Sequence, residues 1–378
     1  MERAIAIIDY LLAKLESKLT SYGVGILVGA VLLAAAHIYI NPVLAPVYHG
    51  VNYTQLSNNP FNFTANNPVQ NRILTPLVAH YLGFTGPHYM NFIRVIGVLF
   101  LAAVYIAARH RSIPAVNAFL GSSIFAFTLP IINFIRFPGY TDITSYLCIF
   151  LAMVTVQRLW LWPIFLALAV LNHESNIFVL PWFFLFHAIS NKGRWLTIAA
   201  SAAALALTVV PWYLWIMYAK KLSAPEYSPE FYLNAHLWGK FSTVAARYYS
   251  GLFATFKILW ILPALAVWWA LSKRQNLIEA LSTVALYIAI VACATGQLFL
   301  AHDTSRLLTL AFPAVWLGFL QLNQQLSASK SAYVLAWLIL INLFIPNYMC
   351  GTNYDPVFLL HSAPGSWILR HYFYQNIR

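Results

Sequence analysis

Charge is what this sequence has least of. Asp, Glu, Lys and Arg make up 8% of its 378 residues, where a water-soluble domain carries about a quarter. So few charges cannot cover a water-facing globule of this size. Cysteine is nearly missing as well. Cys148, Cys293 and Cys350 lie far apart, which argues against a disulfide framework or a cysteine-based zinc site. No phosphate-cradling glycine loop or dinucleotide fingerprint occurs, so nothing marks a cytosolic nucleotide site. Internal repeats and low-complexity tracts are absent too. Acids are scarcest of all, at ten in the whole chain. Each one can therefore be weighed singly.

What fills the sequence instead is apolar: 61% hydrophobic and 16% aromatic. Apolar runs of about twenty residues recur from end to end, each long enough to cross a bilayer. The expected fold is all-α, a polytopic membrane helix bundle forming a single domain over residues 1–378. About eleven spans are predicted, at roughly 22–40, 89–108, 114–134, 141–157, 159–172, 175–190, 195–218, 252–271, 278–299, 304–321 and 331–348. Residues 1–20, "MERAIAIIDYLLAKLESKLT", mix charge with apolar positions at helical spacing. They read as an amphipathic helix on the membrane surface, its acids on a solvated face.

The net charge of +12 does not point to nucleic acid. Lys and Arg occur in ones and twos between apolar runs, with no basic stripe. Their use is orientation. The short basic loops "ARHRS", Arg158, "NKGR" and "SKRQ" fall on one side, which becomes the cytoplasmic side together with the N-terminus. Loops 41–88 and 220–251, the turns "IRFPGYTD" and "LNHESN", the "AHDTSR" stretch and the tail 349–378 then face outward. Two sequons, at Asn52 and Asn62, fall in the first of these loops and would matter only in a glycosylating pathway.

Almost every unusual polar residue lies on that outward face. Ionisable groups at membrane depth carry a functional presumption. Asp142 in "GYTDITSYL" is either a base, metal ligand or substrate clamp, or a helix cap paired with Arg136. Glu174 follows His173 directly, and a carboxylate beside an imidazole can orient it for acid–base work. The bland alternative is a solvated turn. Asp303 and Arg306 are spaced to pair along one helical face, with His302 in front. Asp303 is then either a catalytic carboxylate or a self-neutralising helix start. Arg306, Arg72, Arg136 and Arg94 together suggest a cationic pocket for a phosphate, which arginine grips with paired hydrogen bonds. Taken singly, each is also a plausible interfacial anchor. Histidines 37, 49, 80, 88, 173 and 302 also gather toward the outward face, without zinc spacing. If a metal binds, the carboxylates favour Mg²⁺ or Mn²⁺.

The stretches "RILTPLVAHYLG", "GYTDITSYLCIFLAM", "LWPIFLALAVLNHESNIFVLPWFFLF" and "HDTSRLLTLAFPAVW", after a long first outer loop, resemble the C-type (GT-C) glycosyltransferase superfamily of polytopic membrane enzymes. The resemblance covers most of the chain in layout and rests on short motifs. It implies about eleven to thirteen spans and an outward active site. It also implies transfer of a sugar from a polyprenyl-phosphate donor to an acceptor on the outer face. In that superfamily the first outer loop usually carries a catalytic acid, and residues 41–88 here contain none. The base would then be Asp142, Glu174 or Asp303, with His173 or His302 assisting and the arginines holding donor phosphate.

The alternative is a non-catalytic lipid-binding or partner subunit on the same scaffold. A transporter fits less well, because the polar residues gather at one face rather than at mid-membrane in matching halves.

Overall fold

The computed structural model describes residues 2–40, 42–61, 69–191, 195–222, 241–272, 277–299, 303–349 and 357–358. Among the described residues the regular structure is helical apart from a two-residue antiparallel pairing of Tyr348–Met349 with Val357–Phe358. Sixteen α-helices are described: α1 (Glu2–Ile40), α2 (His49–Asn58), α3 (Leu74–Tyr81), α4 (Tyr89–His110), α5 (Ala115–Ala126), α6 (Leu129–Arg136), α7 (Asp142–Val154), α8 (Trp162–Asn172), α9 (Leu180–Ser190), α10 (Trp195–Leu222), α11 (Phe241–Phe256), α12 (Ile261–Ser272), α13 (Leu277–Gly296), α14 (Thr304–Leu308), α15 (Phe312–Gln325) and α16 (Ala328–Phe344).

Six stretches among the described residues are long and apolar enough to cross a membrane, or seven if α5 and α6, bent by 47° at their break, count as one. This is the multi-pass, all-helical architecture expected, with fewer full-length spans. Helices do form in the predicted segments around 141–157, 159–172, 175–190 and 331–348. As α7, α8, α9 and α16 they run for only 13, 11, 11 and 17 residues. At 1.5 Å per residue these are shorter than a hydrocarbon core of about 30 Å. For two of them, α8 and α9, Pro163 and Pro181 each stand in the first turn and start a new helix there.

α1 is the frame of one side, packing along α4 and α5. Gly29 makes the approach possible, because a β-carbon there would sit 2.4 Å from the Val98 carbonyl oxygen. Small residues at such crossings let helix backbones come close in lipid. Thr20, with φ 62 and ψ 167, breaks α1 into an N-terminal arm and a span.

The arm is not laid out as the sequence suggested. Its acids face the protein. Glu16 accepts from Arg109 Nε and Nη2 at 2.8 and 2.6 Å and from the Tyr105 hydroxyl at 2.8 Å. Asp9 accepts the backbone N–H of Val116 at 3.0 Å, capping the start of α5. The exposed positions mix Ile7, Ile8, Tyr10 and Leu11 with Arg3, Lys14 and Lys18. Pairing with fixed donors outweighs solvation for these two acids.

The aromatic core lies between α4, α5, α7 and α15. Phe100 meets Phe125, Phe150 and Phe312 edge-on, and Phe150 meets Trp316 at 5.1 Å. On the far side, Lys257 breaks the α11–α12 stretch at φ 51. Its ammonium is buried, donating to the carbonyls of Asn342 and Ile345 and to Asn347 Oδ1 at 2.8, 3.0 and 2.8 Å. A cation thus caps the C-terminal end of α16.

Candidate functional site

At the end of the bundle opposite Glu16 and Arg109, four chain segments meet. Their meeting begins with backbone. A β-carbon on Gly50 would lie 2.2 Å from the Pro138 carbonyl oxygen, and Gly139, at φ 94, sits against Gly50 in turn. Only glycines allow this contact. It fixes α2, in the loop without acids, against the turn that leads into Asp142.

Arg72 reaches Glu174 with both edges of its guanidinium, Nη2 to Oε1 at 2.6 Å and Nε to Oε2 at 3.0 Å, and donates from Nη1 to the buried Tyr53 hydroxyl at 3.2 Å. Burial pushes the Glu174 carboxyl up, but Arg72 outweighs it and holds the group well below the usual carboxylate range. His173, extended at φ −156, precedes the short 3-10 turn Glu174–Val179. Its Nδ1 accepts the Ser175 N–H at 3.3 Å and meets Ser175 Oγ at 2.8 Å. Burial, with the Arg72 charge adding to it, pulls this imidazole down to about 4. The His173–Glu174 step therefore carries a neutral ring, and the carboxylate spends its charge on Arg72.

The second cluster centres on Arg306. Its Nη1 meets Asp303 Oδ2 at 3.0 Å and its Nε lies 3.8 Å from Asp142 Oδ2. Asp142 Oδ2 also accepts from Asn133 Nδ2 at 3.3 Å. The guanidinium stands 5.1 Å from the centre of the Tyr140 ring, near enough for a cation–π contact. Tyr140 also packs against His49, Tyr53 and Phe137 and so joins the two clusters. Burial first, then the positive charges of Arg72 and Arg306, lowers His49 and keeps it neutral as well.

Beneath both clusters runs a buried amide and hydroxyl network. Asn172 accepts from Thr75 Oγ1 and donates to the Thr141 carbonyl at 2.9 Å and to Ser145 Oγ at 2.8 Å. One side chain thus ties the segment after Arg72, the residue before Asp142 and the turn beginning at His173.

Of the residues singled out from the sequence, Asp142, Asp303, Arg306, His173, Glu174 and Arg72 are brought to one end of the bundle. His302 lies outside the described residues, as do most of loop 220–251 and of the tail. The pairing of Asp142 with Arg136 does not form, since Arg306 takes that place. Arg136 makes no ion pair among the described residues, and Arg94 donates to Asn91 beside His37, behind Pro138. A four-arginine cationic pocket is therefore not what these residues build. Two guanidiniums face three carboxylates, a net of one negative charge. His80 Nδ1 donates to the Ser57 carbonyl and His37 Nδ1 to the Leu33 carbonyl within α1, so neither joins the site. No group of three metal-ligating side chains exists among the described residues. Tyr53, Tyr140, Asn133 and Asn172 were missed; only the polar run "GYTD" and the Asn in "LNHES" hinted at any of them.

Below the Arg306 cluster, a groove of about 680 Å³ opens between α11, α12 and α13, lined by Tyr248, Trp260, Val267, Ile288, Val291 and Gly296. The next residue, Gln297, lines the cavity between Arg306 and His173. Consecutive residues of the chain thus line the apolar groove (Gly296) and the polar cavity (Gln297). No protein-family model matches the chain, and no curated protein is significantly similar to it.

Proposed function

We propose that the chain is an integral membrane glycosyltransferase, taking a sugar from a polyprenyl-phosphate donor and passing it to an acceptor at the outward face. The observation that carries this reading is the pair Gly296–Gln297, chain neighbours of which the first lines an apolar groove and the second a cavity shared by Arg306 and Asp142. A lipid-linked phosphate has those two halves in that order. In the groove the prenyl tail lies against Trp260, Val267 and Ile288, and the phosphate reaches Arg306.

Docking of phosphate requires Arg306 to give up a carboxylate. Asp303 is the one to yield, being 30% exposed against 13% for Asp142. Asp142 stays behind as the base for the acceptor, and Arg306 as the fork for the donor. Arg72 and Glu174 satisfy each other and hold the wall.

The test is mass spectrometry of lipid retained by the purified chain. Wild type should carry a polyprenyl phosphate or its sugar ester, depleted at least tenfold in Arg306→Ala and in Ala292→Trp, which plugs the groove. Bulk phospholipid alone, equal in all three, rejects the reading. A second reading, a non-catalytic lipid-binding partner subunit, is favoured by the acid-free loop 41–88. It predicts the same lipid retention without any transfer.

A further inference from the structure

Two buried donors at this site have no acceptor among the described residues, and both belong to side chains lining one cavity. They are His173 Nε2 and Arg306 Nε. Their side chains are 7% and 8% exposed. Buried donors are rarely left unmatched, and each such group asks for an explanation.

The proton on His173 can be placed. The Ser175 N–H, which can only donate, lies 3.3 Å from Nδ1, and the Ser175 hydroxyl at 2.8 Å can take either role, so we assign the neutral ring's hydrogen to Nε2. Arg306 Nε always carries one. The third functional wall is Asp142, whose Oδ2 lies 3.8 Å from Arg306 Nε, too far for a direct hydrogen bond. The amide N–H groups along the remaining walls are committed elsewhere. Asn176 Nδ2 donates to Ser145 Oγ and to the Ala169 carbonyl, and Gln297 Nε2 to the Leu307 carbonyl.

The cavity thus offers two N–H donors and one carboxylate acceptor around about 10 Å³, room for roughly one oxygen atom. That is the complement of a hydroxyl group, which has two lone pairs and one proton. A phosphate oxygen matches it poorly. It brings no proton for Asp142, so the carboxylate would face it without a hydrogen bond.

We propose that His173, Arg306 and Asp142 form a seat for one uncharged hydroxyl oxygen, of an alcohol or sugar. The oxygen accepts from His173 Nε2 and Arg306 Nε and donates its proton's hydrogen bond to Asp142. Identifying that hydroxyl as the acceptor's rests on the transferase reading; the seat itself does not. Arg306 then serves two ligands from two edges, Nη1 toward the donor phosphate in place of Asp303 and Nε toward the hydroxyl. His173 is a donor that positions oxygen rather than an acid–base group.

The experiment uses the full chain in phosphatidylcholine nanodiscs, ¹⁵N-labelled at histidine, with the His173 signals assigned by difference against His173→Gln. The expected spectrum shows a protonated Nε2 and a bare Nδ1 at neutral pH. Glycerol, the smallest polyol, should move the Nε2 signal saturably, while inorganic phosphate at equal concentration should not. Asp142→Asn should raise the glycerol half-saturation at least fivefold. A proton on Nδ1, saturation by phosphate but not glycerol, or no response to either overturns the seat. The wild-type titration decides by itself, so a variant that fails to fold leaves the test intact. A glycerol response from a chain that retains no polyprenyl phosphate sinks the transferase reading and keeps the seat. Lipid retention without a glycerol response does the reverse.

Discussion

Arg72 and Glu174, 102 residues apart, are joined by a two-pronged ion pair with contacts of 2.6 and 3.0 Å. The pair ties the segment before α3 to the turn after α8, and both charges are largely withdrawn from solvent. Removing one partner strands the other. Arg72→Gln or Glu174→Gln should each cost about 3 kcal/mol in stability, read as the unfolding midpoint in nanodiscs. The double variant should lose clearly less than the sum, because neither charge is then left alone. Additive losses would mean the two residues act independently.

Acid should loosen this same end. His173 is lowered from 6.5 to about 4, so between those values the unfolded chain binds a proton that the folded chain refuses. The stability tied to the neutral ring is full above about pH 6.5 and is lost as pH falls toward 4. Glu174, held below its ordinary value by Arg72, adds a second loss that begins below about pH 4.5. Thermal midpoints across pH 4 to 8 should fall from the neutral side, and His173→Gln should remove the upper part of the fall. A flat profile down to pH 5 contradicts the assignment.

The two aspartates around Arg306 should separate in a transfer assay. Asp142 lines the inner cavity and is bonded to Asn133, whereas Asp303 is the more exposed partner. Loss of a general base typically costs about 10²–10⁴ in rate. Asp142→Asn should fall in that range with donor retention kept, and Asp303→Asn should fall by less. Equal losses would return the base assignment to an open choice.

Lys257 should prove structural. Its ammonium satisfies two carbonyls and an amide oxygen at the end of α16. Lys257→Met keeps the length and strands those acceptors, at about 1–3 kcal/mol each in desolvation. A midpoint drop without a change in lipid retention is the expected result. Normal stability would refute the cap.

Much of the helical layout was legible because long apolar runs leave little alternative to a helix in lipid. The importance of Asp142, His173–Glu174 and Asp303–Arg306 was legible for a related reason, since so few ionisable groups occur at all. Which of them pair was not. Asp142 takes Arg306 rather than the nearer-in-sequence Arg136, because the α6–α7 turn points the chain back toward α14. Apolar runs also hid where helices begin, as Pro163 and Pro181 start new ones inside stretches of even hydropathy. The inward turn of Asp9 and Glu16 depends on donors from α4 and α5, and nothing within residues 1–20 announces them.

The contact of Gly50 with Pro138 and Gly139 has a kinetic meaning. With no side chain between them, α2 and the turn before Asp142 behave as one rigid rim, so motion between those two segments does not open the site from above. In the proposed reading the approach to Arg306 runs sideways instead, from the groove that Gly296 lines to the cavity that Gln297 shares with Arg306. In the transferase reading, the donor then arrives by a two-dimensional search, and turnover follows its mole fraction in the bilayer rather than its concentration in bulk water. Diluting the membrane with inert lipid would slow the reaction, while diluting the buffer would leave it unchanged.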